Sequence, residues 1–553
     1  MHFNPELDCD IPSLDLLTLL FESQFCWAKD DTVIHAESGN EANSLTKLQS
    51  VTLVRRLAYV LRTHLGIGKT GAGKDVVTFI CSNNLLNPTL FFSVIGAGGI
   101  YSAASTALTV AELAWQIQSS KSHLIIATED MAGSALEAAK KANLSPERVL
   151  ILSRMGLSRS LSPATDSSCN HLTETRELPW ERITDHRILK SRVIALLYSS
   201  GTTGIPKGVC LSHSNFVAEA VITQAAIGTY LSRTQQEFEY RTIAHLPVAH
   251  ISGLQGYFIN GTMSGGIVFW MPKFRFEEFV HASKIHRPTF ITTVPSIYLQ
   301  IAKSPSVTVE FHSLLHAQSG AAPMGPELQK LAESKLKCKV SQAWGLTETT
   351  GAVTWLPWDR QDHTGSIGTL LPNTRIKIVD DDELDAPDGD RGEILVKGPN
   401  LTMGYWDNPE ATANSFTADG WFRTGDIGER RSGKFYIVDR KKELIKYKGL
   451  QVAPAEIETF LIGHDQILDA AVIGIADPAI PGNEIPRAFV VRKSGQTLIT
   501  EEQVKEHVKS NLAAHKQLRG GVIFIEQVPR NPSGKILRRK LAEKIDPRRI
   551  VKL

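Results

Sequence analysis

Cysteines are few in this sequence, and their arrangement excludes one class of site. Six occur in 553 residues, all as scattered single residues, with no C-x-x-C pair and no spacing typical of metal ligands. A cysteine-based zinc site is therefore excluded, and the sequence offers no disulfide framework. We expect six reduced thiols in an intracellular protein.

The sequence also lacks an excess of charge of either sign. Lysine and arginine (60) nearly balance aspartate and glutamate (58), which leaves a formal charge of +2. Nothing in this balance favours a nucleic-acid partner or an anionic membrane surface.

Long apolar runs are absent as well. The most apolar stretch, residues 90–104, is too short and too rich in glycine to span a bilayer. The N-terminus lacks the basic start and apolar core of a secretory signal. We therefore expect a soluble cytoplasmic protein without a transmembrane segment. The final tripeptide, Val-Lys-Leu, is similar to the peroxisomal tail S-K-L, but valine replaces the small residue, so peroxisomal import stands as an alternative.

The pattern of apolar residues indicates an α/β protein of more than one domain. At 42% hydrophobic residues the chain can bury a sizeable core. Short apolar runs predict strands, and apolar residues at helical spacing predict helices between them. The strand candidates are residues 76–80, 124–127, 149–152 and 193–198, and the helix candidates are 44–65, with Ser44 as N-cap, and 131–142. This alternation favours mainly parallel sheets covered by helices on both faces.

Three polar stretches interrupt this pattern. Residues 153–182 have no apolar period and predict a surface excursion. Residues 380–390 combine acidic side chains with turn formers and predict an exposed hairpin tip. Residues 439–446 separate a strand from a new αβ pattern, so we expect domains at 1–439 and 440–553.

A glycine- and hydroxyl-rich segment follows the strand predicted at 193–198. Residues 199–208 read SSGTTGIPKG, so they leave the carboxyl end of that strand, where α/β sheets usually bind ligands. Glycines let backbone N–H groups approach phosphate oxygens, hydroxyl groups add donors, and Lys207 adds charge. The segment is not a Walker A loop, because Gly208 stands where Ser or Thr would hold magnesium. It predicts a polyphosphate site.

Seven further stretches, taken with this motif, resemble those of a known family. Together with residues 199–208 they resemble, in order and spacing, the adenylate-forming superfamily, which includes acyl-CoA synthetases and 4-coumarate:CoA ligases. They are 245–250 (HLPVAH), 319–323 (SGAAP), 342–348 (QAWGLTE), 420–426 (GWFRTGD), 439–440 (DR), 446–456 (KYKGLQVAPAE) and 532–535 (PSGK). The resemblance covers essentially the whole chain.

The resemblance implies a fold of two domains with different roles. It implies a large N-terminal AMP-binding domain of mainly parallel sheets flanked by helices, with a β-barrel-like subdomain. It further implies a small, mobile α+β domain that covers the nucleotide. The substrates implied are ATP, coenzyme A and a carboxylic acid, with Mg²⁺ as the metal.

The resemblance also implies which residues contact the nucleotide, and several have a physical reason. Trp344 offers a flat face for adenine, although a core tryptophan is the alternative; Glu348 offers a hard oxygen for Mg²⁺. Asp426 can accept hydrogen bonds from the ribose, and Arg440 can meet ribose or phosphate. The implied nucleotide-binding residues are Ser199, Ser200, Gly201, Thr202, Thr203, Gly204, Lys207, Gly320, Ala321, Ala322, Pro323, Gln342, Trp344, Gly345, Thr347, Asp426, Arg440 and Gly449.

Lys535 is the strongest catalytic candidate. A carboxylate must attack the α-phosphorus of ATP although both reactants are anions, so catalysis consists largely of positioning and charge neutralisation. The turn formers Ser533 and Gly534 would aim the Lys535 side chain at a fixed point. The residues that follow, 538–540 (Arg-Arg-Lys), fit a solvated basic tail.

A second half-reaction with coenzyme A is implied by the resemblance alone. The C-terminal domain would swivel about Lys442, withdraw Lys535 and bring Lys446, Gly449 and Gln451 to the site. His250 would lie where the acyl pocket and the thiol tunnel meet, although a lone histidine is usually structural.

The acyl pocket is predicted from the 4-coumarate:CoA ligase resemblance. Ser252 stands where those enzymes often carry tyrosine, and Gly351-Ala352 replaces a Pro-Val pair. All three changes remove bulk, which predicts a wider or deeper pocket for a larger aromatic, medium-chain or polyketide-derived acid. The predicted pocket residues are His250, Ser252, Ser319, Ala343, Gly351 and Ala352.

Three alternatives to an acid:CoA ligase remain open. A carrier-protein loading enzyme would share the adenylation chemistry, but the chain ends soon after Lys540, so we expect free coenzyme A as acceptor. A luciferase-like oxygenase would consume oxygen and emit light. A non-catalytic nucleotide or acyl sensor would be favoured by loss of Lys535, Glu348 or the loop, and all are present.

Overall fold

Helices alternate with strands through most of the chain. The structure is a computed structural model that describes residues 2–155, 158–199, 206–448, 450–493, 498–531 and 534–543. Within these ranges the strands, in chain order, are β1 (His2–Phe3), β2 (Val33–Glu37), β3 (Asn40–Thr46), β4 (Val76–Ile80), β5 (Ile100–Ala103), β6 (Ser122–Thr128), β7 (Val149–Met155), β8 (Ser158–Pro163), β9 (Val193–Ser199), β10 (Lys207–Ser212), β11 (Arg241–Ala244), β12 (Ile267–Trp270), β13 (Phe290–Thr293), β14 (His316–Ser319), β15 (Lys339–Leu346), β16 (Gly351–Trp355), β17 (Thr369–Leu370), β18 (Arg375–Val379), β19 (Gly392–Lys397), β20 (Phe422–Arg431), β21 (Lys434–Arg440), β22 (Ile445–Tyr447), β23 (Leu450–Val452), β24 (Ile467–Ala476), β25 (Glu484–Arg492) and β26 (Val522–Phe524).

The helices of the same ranges connect these strands. In chain order they are α1 (Leu16–Phe21), α2 (Lys47–Tyr59), α3 (Asn87–Gly96), α4 (Val110–Ser120), α5 (Ala132–Lys141), α6 (His186–Ser191), α7 (His213–Thr234), α8 (Ile251–Gly253), α9 (Gly261–Met263), α10 (Phe276–His286), α11 (Pro295–Lys303), α12 (Pro326–Leu336), α13 (Pro409–Ser415), α14 (Pro454–Ile462), α15 (Glu501–Asn511) and α16 (Arg538–Glu543).

A seven-stranded sheet carries the phosphate-loop segment. Its order is β10-β9-β5-β4-β6-β7-β8, and the five central strands run parallel. Every residue of β4 is buried, as expected for a parallel strand covered on both faces. This confirms the strands predicted from apolar runs. The edge strand β10 pairs antiparallel with β9, and Lys207 lies opposite Ser199, so the two ends of the loop meet.

Two smaller sheets share one core with this sheet. A four-stranded sheet has the order β11-β12-β2-β3, and a five-stranded sheet has the order β13-β14-β15-β16-β17. A single hydrophobic cluster extends from Leu16 to Val340 and includes strand residues of all three sheets. Strands β13, β14 and β15 run parallel, so their carboxyl ends lie at one edge.

The part predicted as β-barrel-like corresponds to an antiparallel five-stranded sheet. Its order is β1-β18-β19-β20-β21. It packs on β15 and β16 through a hydrophobic cluster that includes Trp344, Val353, Ile394 and Phe435. The acidic stretch 380–390 connects β18 with β19, so the predicted hairpin tip is confirmed.

The C-terminal residues form their own layer of strands and helices. Strands β24, β25 and β26 make one sheet, and β22 and β23 make a hairpin. All buried members of one hydrophobic cluster come from residues 445–522, and they include apolar side chains of α14 and α15. A separate core is what an independently moving unit requires. The division at residue 440 stays a proposal that this core supports.

Two local predictions from the sequence were wrong. Helix α2 is capped by Thr46, in a capping box with Gln49, rather than by Ser44, because strand β3 continues to Thr46. The stretch 153–182 is not only a surface excursion. Strand β8 pairs antiparallel with β7 at the sheet edge, and Leu161 and Trp180 are buried. The sequence did not predict β8 because its side chains are mostly polar, and an edge strand tolerates polar side chains.

Membrane spanning and thiol state were also predicted from the sequence. Across the described ranges, the helices are too short or too polar to cross a bilayer. The six cysteines are free thiols, and Cys26, Cys81 and Cys210 are buried. The C-terminal tripeptide lies outside the described residues.

Candidate active site

A cavity of about 980 Å³ lies between the large N-terminal part and the C-terminal residues. It opens at the carboxyl edge of β14 and β15, and α14 and the segment around residue 535 close its other side. Ten of the predicted site residues line it: Ala321, Ala322, Pro323, Gln342, Ala343, Trp344, Gly345, Asp426, Arg440 and Lys535. Residues separated by more than 200 positions therefore meet around one space.

Lys535 enters this cavity from a tight turn. The backbone N–H of Lys535 donates to Asn531 Oδ1 (2.8 Å), and the N–H of Gly534 donates to the carbonyl of Asn531 (2.9 Å). Gly534 has a φ of 82°, and a Cβ there would come within 2.9 Å of Val294 Cγ2. Glycine is therefore required for the turn and for its contact with the start of α11. Residues 532–533 lie outside the described ranges.

The Lys535 ammonium lies in a crowded electrostatic setting. Burial, followed by repulsion from Arg440, lowers its pKa to about 8. Asp426 and Glu443 act in the opposite direction. An amine in this setting gains most when an anionic ligand enters, because the ligand supplies the missing counter-charge.

Asp426 links the two walls of the cavity. Strands β20 and β21 place it opposite Arg440, whose Nε lies 2.7 Å from Asp426 Oδ1. The indole N–H of Trp344 donates to Asp426 Oδ2 (2.9 Å). Burial raises the pKa of Asp426, and Arg440 and Trp344 oppose that rise. Trp344 is thus both a core residue and a wall of the cavity.

The loop after β14 forms another wall. Ala321 adopts a left-handed conformation (φ 67°), and Gln342 anchors the loop by hydrogen bonds to the N–H and the carbonyl of Met324, both 3.0 Å. The backbone N–H of Gly320 donates to the carbonyl of Thr293. The hydroxyl of Ser319 is buried and has no hydrogen-bond partner within the described residues. A buried unpaired hydroxyl at the end of a strand is available to a ligand.

The phosphate-loop segment is described only at its ends. Ser199 Oγ donates to Glu348 Oε1 (2.8 Å), and Lys207 lies on the opposite strand. The predictions at Ser200, Gly201, Thr202, Thr203 and Gly204 fall outside the described residues. Glu348 follows Thr347 in the turn that joins β15 to β16, and its bond with Ser199 places the predicted metal ligand beside the described first residue of the loop.

Glu348 fits a magnesium ion bound mainly through phosphate. In the described part of the chain, both hydrogen bonds to its carboxylate, from Ser199 and Tyr405, reach Oε1. The same part holds no cluster of three or more metal-ligating side chains. Mg²⁺ commonly binds through one or two carboxylates together with substrate phosphates. A single buried glutamate beside a phosphate loop matches that chemistry.

His250 and Ser252 form a local pair at the start of α8. The N–H of Ser252 donates to His250 Nδ1 (3.3 Å), and Ser252 Oγ lies 2.9 Å from the same nitrogen. Burial, with a smaller effect of the Lys535 charge, lowers the pKa of His250 to about 4. The ring is therefore neutral near pH 7, with its proton on Nε2.

Comparison with known proteins identifies the family. A family model described as AMP-binding enzyme matches residues 23–406, and one described as AMP-binding enzyme C-terminal domain matches residues 456–535. The chain belongs to the AMP-binding enzymes. The resemblance recognised from the sequence motifs is confirmed.

Individual relatives agree with this membership. A protein of Emericella nidulans with the provisional name acyl-coenzyme A synthetase is 51% identical over 98% of both chains. The 4-coumarate–CoA ligase 1 of Solanum tuberosum is 35% identical over 87% of this chain and 86% of its own. The crystal structure of ATP-bound MatB from Rhodopseudomonas palustris has a TM-score of 0.81 and 27% identity, and the match covers 96% of this chain and 98% of MatB. The predicted fold class is confirmed.

The surroundings of Gly351, a predicted acyl-pocket residue, differ from those expected from the sequence. A Cβ at Gly351 would lie 2.3 Å from Glu219 Oε1, so Glu219 occupies the space that glycine leaves. Glu219 is fully buried on α7, and it accepts hydrogen bonds from the N–H of Ala352 (2.7 Å) and from Asn400 Nδ2 (2.9 Å). The extra width inferred at residue 351 is thus filled, and a wider pocket can rest only on Ser252 and Ala352.

The contact between Gly351 and Glu219 gives a stability prediction. Gly351→Ala is expected to cost about 1–3 kcal/mol, because the new methyl group must displace a carboxylate held by two hydrogen bonds. In a Glu219→Ala background the same change should cost less, and the cost that remains reports the backbone strain of alanine at a φ of 159°. Denaturant unfolding of the four proteins of this cycle measures the coupling.

Gly228→Ala is the matched control for that cycle. Gly228 lies on α7, the helix that carries Glu219, and a Cβ there meets nothing within 4 Å. This change should be neutral or stabilising by up to about 1 kcal/mol. Equal costs of Gly351→Ala with and without Glu219 would show that the two residues do not compete for space.

The residues predicted for the second half-reaction lie apart from the cavity of this AMP-binding enzyme. Lys446 and Gln451 are paired on the β22–β23 hairpin, and both are exposed. Lys442 lies in the turn between β21 and β22, and its role as a hinge stays a prediction. Gly449 falls outside the described residues. The remaining described candidates outside the lining of the cavity are Ser199, Lys207, His250, Ser252, Ser319, Gly320, Thr347, Glu348, Gly351 and Ala352.

Sequence reasoning missed three residues that contact or neighbour predicted site residues. Glu219 is the only acidic side chain of α7, and an acidic residue within a run of apolar helix residues is a signal of function or pairing. Tyr405 contacts Glu348 and Lys207, and the signal was an aromatic pair directly after Gly404. Glu443 accepts a hydrogen bond from Arg538 Nε (2.9 Å) beside Lys535.

The interpretation of Arg538 as part of a solvated tail was wrong. Its side chain is 17% exposed, and its guanidinium donates to Glu443, to Glu458 and to the carbonyl of Val472. Arg539 and Lys540 are exposed, as expected. The helix α16 turns only one of these three basic residues toward the C-terminal core, because successive helical residues point about 100° apart.

Proposed function

We propose that this protein is an ATP-dependent acid:coenzyme A ligase that works in two half-reactions. In the first, a carboxylate oxygen of the acid attacks the α-phosphorus of ATP, and pyrophosphate leaves. In the second, the thiol of coenzyme A releases its proton to solvent as its sulfur attacks the carbonyl carbon of the acyl-adenylate, and AMP leaves with the bonding electron pair. The products are an acyl thioester, AMP and pyrophosphate.

The position of Lys535 is the observation that carries this proposal. The turn around Gly534 contacts α11, and it directs Lys535 into the cavity that Asp426, Arg440 and Trp344 line. A single partly desolvated ammonium at this point can offset the repulsion between a carboxylate and a triphosphate. Its lowered pKa fits a group that lacks its anionic partner until substrate binds.

The other wall residues have roles in the proposal that follow from their chemistry. Asp426 accepts hydrogen bonds from the ribose hydroxyls, for which it exchanges its present donors. Arg440 contacts ribose or phosphate, and Trp344 and the loop 320–323 flank the base. Ser199, Lys207, Thr347 and the rest of the loop donate to the polyphosphate.

Magnesium belongs to the nucleotide end of the site. Glu348 would hold it, together with phosphate oxygens, and the bound ion would supply charge neutralisation at the β- and γ-phosphates. The residue fits because it is a buried carboxylate that accepts a hydrogen bond from Ser199, at the first end of the loop.

The second half-reaction depends on movement of the C-terminal part. We place the boundary of that part at residue 440 and the hinge at Lys442, so that rotation withdraws Lys535 and presents Lys446, Gly449 and Gln451. Lys303 holds the present arrangement, because its ammonium donates to the carbonyls of Ile467 (3.0 Å) and Leu468 (3.1 Å). Those two bonds must break before coenzyme A can react.

The acid is proposed to be aromatic, medium-chain or polyketide-derived. Ser252 and Ala352 remove bulk from the predicted pocket, and His250 lies at its mouth as a neutral ring. Glu219 fills the space beside Gly351, so the extra room in this proposal comes from Ser252 and Ala352. The buried hydroxyl of Ser319 is a donor available to an oxygen of the acid.

Two assays together test the proposal. The enzyme should exchange labelled pyrophosphate into ATP only when an acid is present, and it should form coenzyme A thioesters that mass spectrometry detects in an acid panel. A sensor would bind ATP without exchange, and a carrier-loading enzyme would exchange without forming a free thioester. Faster turnover of p-coumarate than of acyl chains with eight or more carbons would contradict the assignment of the acid.

A further inference from the structure

Tyr405 lies between the predicted metal ligand and the predicted phosphate-binding lysine. Its hydroxyl donates to Glu348 Oε1 (3.1 Å), and the Lys207 ammonium lies 4.9 Å from the centroid of its ring. These three residues come from distant segments, and one side chain touches both of the others. No motif recognised in the sequence contains it.

The backbone around Tyr405 is held by the same two elements. Tyr405 forms an antiparallel bridge with Val209 of β10, and the N–H of Trp406 donates to the carbonyl of Gly208 (2.8 Å). The N–H of Thr402 donates to the carbonyl of Glu348 (2.7 Å). Tyr405 is thus tied to the strand that carries Lys207, and its segment is tied to the turn that carries Glu348.

The preceding glycine fixes this path. Gly404 has a φ of 123°, and a Cβ there would come within 2.3 Å of Thr412 Cγ2. Thr412 Oγ1 in turn accepts the N–H of Tyr405 (2.9 Å). The backbone at Tyr405 is therefore held in place on both sides, as a residue that orients others requires.

We propose that Tyr405 is a positioning residue for the polyphosphate end of the site: its hydroxyl orients the Glu348 carboxylate, and its ring holds the Lys207 ammonium. This inference rests on the proposed function, since both partners matter only if the site binds a metal–nucleotide complex. The negative face of an aromatic ring attracts an ammonium. A hydrogen bond to a ligating carboxylate fixes its direction toward a cation.

Two substitutions separate the two contacts. Tyr405→Phe removes the hydroxyl and keeps the ring, whereas Tyr405→Leu removes both. Titrating Mg²⁺ into enzyme with ATP, followed by calorimetry, should give a half-maximal Mg²⁺ concentration roughly 10–100-fold higher for Tyr405→Phe. The affinity for ATP in EDTA should change less than about twofold for Tyr405→Phe. It should weaken about two- to tenfold for Tyr405→Leu, because the Lys207 ammonium loses its contact with the aromatic ring.

Tyr436 supplies a matched control. Its hydroxyl also hydrogen-bonds a partner, Thr364 Oγ1 (2.8 Å), and Arg431 also lies over its ring (4.1 Å), but it stands on β21 outside the lining of the cavity. Tyr436→Phe and Tyr436→Leu should leave both ATP-binding measurements at wild-type values. The same changes in ATP binding for the two Tyr436 variants would mean that the Tyr405 result reflects a general loss of structural stability.

The outcomes distinguish this inference from the proposed function. Wild-type Mg²⁺ dependence in Tyr405→Phe would overturn the positioning role even if the wild-type enzyme exchanges pyrophosphate. Equal weakening of metal-free ATP binding by both Tyr405 variants would overturn it as well, because the hydroxyl then has no metal-specific effect. A wild-type protein that binds Mg·ATP with the expected Tyr405 dependence but exchanges no pyrophosphate with any acid would instead overturn the proposed function alone.

Discussion

Lys535→Ala is expected to lower acid-dependent pyrophosphate exchange by roughly 10²–10³-fold, the usual cost of removing one aligned electrostatic contact. The loss follows from the position of the ammonium beside Asp426 and Arg440, in a cavity where solvent screening is reduced. Without it, the carboxylate and the α-phosphate meet as two unshielded anions. Isotope exchange at saturating ATP measures the effect on the chemical step.

Two controls show whether the loss of pyrophosphate exchange is specific to Lys535: a matched lysine variant and the thioester-forming half-reaction. Lys540 is exposed on α16, five residues from Lys535, and Lys540→Ala should keep exchange within about twofold of wild type. Thioester formation from a preformed acyl-adenylate should survive Lys535→Ala, because that step no longer involves a triphosphate. Near-normal exchange with loss of thioester formation would assign Lys535 to the other half-reaction.

The lowered pKa of Lys535 predicts a fall in kcat/KM for ATP at high pH. The pKa of Lys535 is lowered to about 8, so the nucleotide-free enzyme loses this positive charge as the pH rises through 8. The value of kcat/KM for ATP, which reports on free enzyme, should therefore fall about tenfold per pH unit above that point. Lys535→Arg should flatten the limb, since a guanidinium stays protonated, even if its maximal rate is lower. An unchanged limb in Lys535→Arg would assign the titration to another group.

Local patterns predicted much of the fold because they depend on neighbours in sequence. Strand β4 and its parallel partners follow from buried apolar runs, and the 380–390 hairpin follows from its turn formers. The glycine at 534 predicted the turn that delivers Lys535, and its φ of 82° has the conformation that glycine favours.

Contacts between distant residues could not be predicted in this way. Trp344 and Asp426 are 82 positions apart, and nothing local to either indicates their hydrogen bond. The contact of Glu219 with Gly351 reverses an inference about pocket width, because removal of bulk on one strand was matched by a side chain on a helix. Residue size at one position therefore does not determine the shape of a pocket; the facing residue must be known as well.

Arg538→Ala is expected to be strongly destabilising, although Arg538 stands among basic residues near the chain end. Its guanidinium contacts Glu443 and Glu458, and burial alone would raise the pKa of Glu443, but Arg538 holds it below the ordinary value. Removing the cation leaves two largely buried carboxylates without their cationic partner, at a cost of about 3–5 kcal/mol. The C-terminal sheet should open far more often.

Hydrogen exchange is the suitable measurement, because no tryptophan follows Trp421 and fluorescence would miss this region. The amides of β24 and α14 should exchange roughly 100-fold faster or more in Arg538→Ala, since each 1.4 kcal/mol of opening free energy is a factor of about ten. Arg539→Ala should leave them unchanged, because Arg539 is exposed and pairs with Glu543 by an i,i+4 contact.

A charge-removal rescue separates electrostatics from packing in this cluster. If unpaired carboxylates cause the loss, Glu443→Gln and Glu458→Gln combined with Arg538→Met should recover most of the protection, because amide groups tolerate burial better than anions. Protection that stays low would instead assign the loss to the hydrogen bond from Arg538 to the carbonyl of Val472, 2.7 Å long. Either result bears on catalysis, since Arg538 is three residues from Lys535 and the same short segment must both hold the C-terminal core together and direct the ammonium into the cavity.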